Sequence, residues 1–142
     1  VPEGHYAAAN MAITVVPNRN AIFLTIAYGA AVSFESKYVG AAMHTGDHTI
    51  YPDCRPEFVE GFGQMQKIAI EGTGHPDLEF WTPFISKSKA DIARIGLDIG
   101  VDYSRTWSCY KGDELHCGKC GTCVERKEAF ELIGEVDPTD YE

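Results

Sequence analysis

Positive charge and long apolar runs are both scarce in this 142-residue chain. Lys and Arg number 12 against 21 Asp and Glu, which gives a formal net charge of −9. This balance excludes an overall electrostatic footprint for nucleic acid, so we expect no direct nucleic-acid partner. No transmembrane run or secretory signal is visible, which favours a cytoplasmic location without a membrane partner. Internal repeats and low-complexity tracts are also absent, and the length suits one domain with a real core.

Four of the five cysteines lie close together near the C-terminus, in the pattern C-x7-C-x2-C-x2-C. Gly118 and Gly121 let the backbone turn so that successive thiolates point at one centre. Four thiolates satisfy tetrahedral zinc, so we predict one structural zinc ion. An iron–sulfur cluster and a pair of disulfides are the alternatives, and nothing else suggests a secreted, disulfide-bonded chain. His116 could replace one thiolate, although the cysteines already complete a tetrahedron. The predicted ligands are Cys109, Cys117, Cys120 and Cys123.

The hydrophobic pattern predicts helices that alternate with short strands. The run 21–33 is apolar on nearly every face, which indicates a buried helix. Ser88 and Asp91 form an approximate capping box at the start of a later helix. In order, we predict an extended run at 13–16, helix 21–33 capped by Asn18 or Asn20, strand 38–43, helix 56–72, strand 78–81, a helix from Ser88 to Gly100 with Ile92, Ile95 and Ile99 on its inner face, and helix 122–133.

This alternation predicts an α/β fold with a metal-bound helical module at its C-terminus. We place the α/β part at residues 1–104, the zinc module at 105–134 and a solvated acidic tail at 135–142. The strands are too few to cover helix 21–33 on more than one side. The chain also begins at Val1 with a loop-like segment. Both features lead us to expect a portion of a longer protein, or a partner chain that covers the helix.

A polar loop follows strand 38–43, and ligands of open α/β sheets bind at the carboxyl ends of strands. His44 and Asp47 lie in this loop. The histidine could position ammonia or substrate, and it could also be an ordinary surface residue.

Three short strings add to the cysteine pattern: VPNRNAIFL, YPDCRPEF and TPFISKSKADI. Each alone is typical of a turn, a surface loop or a solvated helix start. In this order, and followed by the four cysteines, they resemble the 7-cyano-7-deazaguanine synthase family (QueC, also called ExsB). The resemblance covers Val16 to about Phe130.

The resemblance implies a portion of a Rossmann-like PP-loop ATP pyrophosphatase fold, with flanking helices and a zinc site. It also implies a ligase reaction in queuosine biosynthesis. In that reaction 7-carboxy-7-deazaguanine is adenylated by ATP with Mg²⁺, ammonia gives the amide, and a second activation dehydrates the amide to the nitrile. A homodimer is a further expectation.

One family feature is missing, because the phosphate-binding loop SGGxDS does not occur in this sequence. Gly72 and Gly74 precede a strand, which is the wrong order for a phosphate-binding helix N-terminus. We therefore expect the C-terminal portion of a synthase that is inactive without its N-terminal half. The alternative is a non-catalytic, zinc-stabilised half-protein that binds a partner carrying the phosphate loop.

Seven residues of the motifs and the loop are candidates for binding substrate or ATP. An arginine fork suits a carboxylate or phosphate, and an asparagine supplies a donor and an acceptor together, although a cap and a solvated side chain would explain Arg19 and Asn20 equally. An aromatic face, a carboxylate and a guanidinium suit a flat purine-like acid. The candidates are Arg19, Asn20, His44, Asp47, Tyr51, Asp53 and Arg55.

Two residues are candidates for catalysis. Cys54 could be a nucleophile that holds a thioimidate, but adenylate chemistry does not require one, and a buried structural thiol is an equal alternative. Lys89 matches the helix-start lysine of the family and could meet a phosphate. Lys87 could reach the same place.

Overall fold

The computed structural model describes residues 1–6 and 8–142. The chain divides into two compact units. Residues 16–86 form the central unit, and residues 1–15 together with 87–142 form the cysteine unit. The two compact units meet after residue 86. The predicted extents of the zinc module, 105–134, and of the tail, 135–142, stay predictions. The assignment of 1–104 to the C-terminal part of a PP-loop domain also stays a prediction.

The central unit contains helix α1 (Arg19–Ser33), strand β1 (Tyr38–Gly40), helix α2 (Pro56–Ala69) and strand β2 (Glu79–Trp81). The two strands pair in parallel, with Val39 opposite Phe80. A helix between two parallel strands is the βαβ arrangement. The predicted α/β class is therefore confirmed for this unit. The strands are shorter than predicted, because regular β1 pairing ends at Gly40, although the Ala41 N–H still donates to the Trp81 carbonyl at 3.0 Å.

Aromatic side chains fill the core of the central unit. Phe62 on α2 packs with its ring centroid 6.0 Å from that of Tyr28 and 5.9 Å from that of Phe80. Such edge-to-face pairs add to the stabilisation that their buried area provides. The buried members of this core are Leu24, Tyr28, Ala31, Val39, Met43, Cys54, Phe62 and Leu78.

Helix α1 is buried on one side only. Leu24, Tyr28 and Ala31 face the core, whereas Ile22, Phe23 and Ile26 are 53%, 62% and 67% exposed. The predicted burial on all sides is thus not found within the described part of the chain. The start of the helix was also predicted wrongly. It begins at Arg19, and Asn18 has a left-handed backbone (φ 63°) and makes no side-chain cap.

The cysteine unit is built on helix α3 (Lys89–Asp98) and helix α4 (Gly121–Leu132). The capping box at α3 is confirmed, with the Asp91 N–H donating to Ser88 Oγ at 3.1 Å and the Ser88 N–H to the Asp91 carboxylate at 2.8 Å. The inner face differs from the prediction, because Ala93 and Gly96 are buried and Ile99 is exposed. No helix in the described residues is long and apolar enough to cross a bilayer.

The structure differs from the predictions at both ends of the chain. Residues 9–14 form a 3₁₀ helix, where an extended run was expected from residue 13, and Met11 of this helix is buried. Most residues of the acidic tail are exposed, as predicted, but the tail is tied to the rest of the unit. The side chains of Asp137 and Arg126 are each 8% exposed and form an ion pair, and the Glu142 N–H donates to the His116 carbonyl at 2.9 Å.

Candidate metal centre and binding residues

The four clustered cysteines converge on one point of the cysteine unit. Their Sγ atoms all lie within 4.8 Å of one another, and all four side chains are buried. Cys120 is the residue before the first turn of α4 and Cys123 lies in that turn, while the left-handed backbone of Gly118 (φ 68°) turns the chain between Cys117 and Cys120. Among the described residues, these four cysteines are the potential metal ligands that lie close enough together to hold one ion.

Backbone N–H groups surround the sulfur atoms. Cys109 Sγ accepts hydrogen bonds from the N–H groups of Gly112 at 3.0 Å, and of Lys111 and Cys117 at 3.3 Å each. Cys117 Sγ accepts from the N–H of Cys120 at 3.4 Å. Hydrogen bonds to the charged form of a group favour ionisation. This arrangement stabilises thiolates, which are the form that binds a metal.

The pKa values of the cysteines agree with a shared anionic site. Burial opposes ionisation of Cys109, but the backbone N–H donors outweigh it and hold its pKa below the usual value. Burial also opposes ionisation of Cys120, yet hydrogen bonds from Thr122 and the backbone bring its pKa to about 6. The pKa of Cys123 is raised, first by burial and then by its hydrogen bond with Cys120. A bound cation would remove this last penalty by neutralising its neighbours.

All four cysteines are free thiols, so the disulfide alternative does not apply to this structure. Cys120 Sγ and Cys123 Sγ are 3.5 Å apart, whereas a disulfide bond is about 2.05 Å long. His116 is not a fifth candidate ligand. Its Nε2 accepts the Ser108 N–H at 3.0 Å, and its ring lies 4.2 Å from that of Trp107. Four thiolates are the donor set that zinc, copper(I) or an iron–sulfur cluster takes, so the residues present fit a thiophilic metal.

In the central unit, the structure brings together Asn20, Asp53 and Cys54 from two of the motifs. The Asn20 N–H donates to Asp53 Oδ2 at 3.0 Å, and Asn20 Nδ2 donates to the Asp53 carbonyl at 3.1 Å and to Cys54 Sγ at 3.2 Å. Asp53 therefore caps the N-terminus of α1 from a distant loop, where a carboxylate also benefits from the helix dipole. Asn20, Asp53 and Cys54 are thus joined to one another by hydrogen bonds.

Cys54 lies in this cluster as a buried thiol. Burial raises its pKa to about 11, and the charges of Asp47 and Asp53 add to the effect. A thiol with such a pKa is almost entirely protonated at neutral pH and is a weak nucleophile. The environment favours the structural interpretation of this residue over the catalytic one.

The remaining candidates of the central unit differ in exposure. Arg19 and Arg55 are exposed, although Arg55 Nε donates to the His48 carbonyl at 2.7 Å. His44 is buried, with its Nδ1 accepting the Gly46 N–H at 3.1 Å and its Nε2 3.3 Å from the Asp47 carboxylate. Tyr51 packs against the core. The two arginines are thus the groups of this set best placed to meet an external anion.

Lys89 lies in the cysteine unit, at the first position of α3. Its Nζ donates to Glu125 Oε2 on α4 at 2.7 Å. This ion pair joins the starts of two helices, which the sequence pattern did not predict.

Comparison with known proteins identifies the chain. The family model described as queuosine biosynthesis protein QueC matches residues 1–134. This chain belongs to the QueC family. The 7-cyano-7-deazaguanine synthase of Allorhizobium ampelinum is 56% identical over all 142 residues, and that of Paracoccus denitrificans is 55% identical. In Mesorhizobium japonicum, 7-cyano-7-deazaguanine synthase 1 is 54% identical. The chain covers 60% of the length of each of these relatives.

Sequence analysis missed two features of this QueC chain. One is the buried ion pair in which Arg126 Nε lies 2.9 Å from Asp137 Oδ2. The other is a cavity of about 570 Å³ beside the cysteines, partly walled by Trp107 and Tyr110. In the sequence, the ion pair was indicated only by Arg126 on the apolar side of α4. The cavity was indicated only by two aromatic residues that flank the first cysteine of the cluster. Neither has a spacing that marks a site.

Proposed function

We propose that the protein carrying this chain is a 7-cyano-7-deazaguanine synthase. It converts 7-carboxy-7-deazaguanine and ammonia to the nitrile with ATP and Mg²⁺, in queuosine or related deazapurine biosynthesis. The observation that carries the proposal is the identity of about 55% along the whole chain with synthases of that name. The convergence of the four cysteines supports it. We further propose that the central unit is part of a PP-loop domain, which its βαβ pairing supports.

The reaction needs cations for two kinds of anion, the phosphates of ATP and the carboxylate that is adenylated. We assign Arg19 and Arg55 to phosphate contacts, because both are exposed and an arginine fork matches phosphate geometry. Asn20 and Asp53 hold these arginines in place through the cap of α1. His44, Asp47 and Tyr51 shape the adjoining loop. Cys54 has a structural role, because an acyl adenylate is already activated and needs no enzyme thiol.

We propose one zinc ion at Cys109, Cys117, Cys120 and Cys123. A closed shell of four thiolates leaves no position for water, so the ion serves stability and not catalysis. Zinc has no redox chemistry and accepts tetrahedral geometry without distortion, which suits a buried structural site.

Elemental analysis of the purified protein tests the metal. One zinc per chain is expected, and iron with visible absorbance would contradict the assignment. Cys120→Ser should lose both the zinc and the fold of the cysteine unit, because metal binding there is coupled to folding. Cys54→Ser is the matched control, since it changes a buried cysteine outside the cluster and should keep its zinc.

Turnover tests the function. The full-length gene product, given 7-carboxy-7-deazaguanine, ammonium and MgATP, should form the nitrile, which mass spectrometry detects. The 142-residue chain alone should form none, because it has no SGGxDS loop to bind phosphates. Absence of nitrile and amide from the zinc-loaded full-length protein would disprove the proposed function.

A further inference from the structure

The cavity beside the cysteine cluster is lined by three parts of the cysteine unit and is open to solvent on one side. Its volume of about 570 Å³ falls in the range of small-molecule sites. Ala129 and Phe130 are buried and line its inner part, whereas Trp107 and Tyr110 are 51% and 70% exposed and stand at its opening. The cavity is therefore a concave site with access from solvent.

The Lys, Arg, Asp and Glu side chains that line the cavity are two, and both are cationic, while the predicted metal ligand Cys109 also lies in the wall. Lys89 and Arg126 contribute to its wall, while their ion-pair partners Glu125 and Asp137 do not. The cavity thus presents the positive ends of two ion pairs in a chain whose net charge is −9. A cationic side chain in a concave wall can meet an anionic ligand.

The two cations differ in what they can still bind. Arg126 spends its donors on Asp137, on Thr106 Oγ1 at 2.7 Å and on the Tyr103 carbonyl at 3.0 Å, so its role is to hold the wall. The Lys89 ammonium has three donors, of which Glu125 takes one within the described residues, and its side chain is 43% exposed. Lys89 is therefore the group that can meet an anion in the cavity.

The aromatic side chains at the opening are held in a fixed arrangement. Trp107 Nε1 donates to the Cys109 carbonyl at 2.7 Å, and one side of its ring is covered by His116 at 4.2 Å. A ring that is held at its edge and covered on one side is a ready platform for a second flat ring. Tyr110 adds another exposed ring at the same opening.

We propose that this cavity binds a planar heteroaromatic carboxylate, with the ring against Trp107 and Tyr110 and the carboxylate on Lys89. The inference rests on the proposed function, because 7-carboxy-7-deazaguanine is such a molecule. It deepens that function by locating the acid in the cysteine unit. An adenine nucleotide also joins a flat ring to an anion, so the experiment must separate the two.

Calorimetric titration of the zinc-loaded full-length protein with 7-carboxy-7-deazaguanine tests the proposal. Lys89→Met should weaken binding about tenfold or more, since it removes a charged hydrogen-bond donor. Lys67→Met, on the exposed surface of α2, is the matched control and should bind like the wild type. Tyr110→Ala should weaken binding about fivefold or more through lost stacking. Because the Tyr110 side chain is largely exposed, its loss should leave zinc content and fold intact.

A further variant separates contact with the acid from a merely structural ion pair. If Lys89 only anchors Glu125, Glu125→Gln and Lys89→Met should weaken binding alike, and that result would overturn the proposal. If Lys89 holds the carboxylate, Glu125→Gln frees its ammonium and binding is kept or strengthened.

The remaining outcomes are also decisive. Competition by ATP for the same site would overturn the proposal, as would unchanged affinity in both Lys89→Met and Tyr110→Ala. If those variants bind normally while the wild type forms nitrile, the inference fails and the function stands. If the acid binds as predicted but no nitrile forms, the site stands and the function fails.

Discussion

Asp53 connects two motifs that lie far apart in the sequence. Its carboxylate accepts the N–H of Asn20 at the start of α1, where helix N–H groups otherwise have no partner. Asp53→Ala should therefore lower the free energy of unfolding by about 1–2 kcal/mol. Chemical denaturation of the full-length protein measures the change. Asp77→Ala, at an exposed position, should shift it by less than about 0.5 kcal/mol. Equal effects of the two substitutions would show that the cap contributes nothing.

The raised pKa of Cys54 makes a prediction about pH. Below about pH 9 the thiol is protonated in both the folded and the unfolded chain, so it adds no pH dependence. Between about pH 9 and its folded pKa of about 11, the unfolded chain releases the proton and the folded one keeps it. Stability should therefore fall as pH rises through this interval. The fall should be smaller in Cys54→Ser, as urea denaturation at several pH values would reveal, and an identical slope in both proteins would contradict the assignment.

At the scale of the helices, features that depend on neighbouring residues were predicted correctly, whereas features that depend on residues distant in sequence were not. The capping box of α3 was predictable because Ser88 and Asp91 are neighbours in sequence. The beginning of α1 was not, because its cap is supplied by Asp53 across 33 positions. The 3₁₀ helix of residues 9–14 was missed for the same reason, since Met11 packs close to Gly121.

The site shows the same division between local and distant information. The spacing of the cysteines predicted their convergence, because the loop between them is short and glycine-rich. The cavity depends on three segments that meet only in the folded unit. No periodicity could indicate that Trp107, Lys89 and Arg126 share one wall.

Two glycines inside helices should respond to alanine with opposite signs. A Cβ at Gly96 of α3 would lie 2.0 Å from Tyr103 Oη, whereas one at Gly61 of α2 would meet nothing within 4 Å. Gly96→Ala should cost about 1–3 kcal/mol through overpacking. Gly61→Ala should add up to about 1 kcal/mol through helix propensity and reduced unfolded-state entropy. Thermal denaturation of both variants checks the pair, and two shifts of the same sign would contradict it.

At the scale of the whole molecule, the exposed side of α1 is the feature to explain. Ile22, Phe23 and Ile26 expose adjoining apolar surface, and such patches mark surfaces that other protein covers. We expect the 142-residue chain to self-associate in sedimentation experiments and Ile26→Lys to reduce this association. Val136→Lys, which alters an even more exposed apolar residue of the tail, is the control. If the chain without the substitution stays monomeric at all concentrations, this apolar surface does not have to be covered by other protein.

The cysteine unit is built from two separate stretches of the chain, and this affects how it folds during synthesis on the ribosome. The Gly4 N–H donates to the Lys119 carbonyl at 3.1 Å, and the Gly121 N–H to the Pro2 carbonyl at 3.2 Å. Residues 1–15 are synthesised before residues 87–142 and can form these contacts only after the later stretch has been made. The central unit is synthesised between the two stretches. Closing so long a loop is slow compared with local folding. Completion of the cysteine unit should accordingly be a late event. Protease resistance of stalled nascent chains would date it, and the central unit should become resistant first.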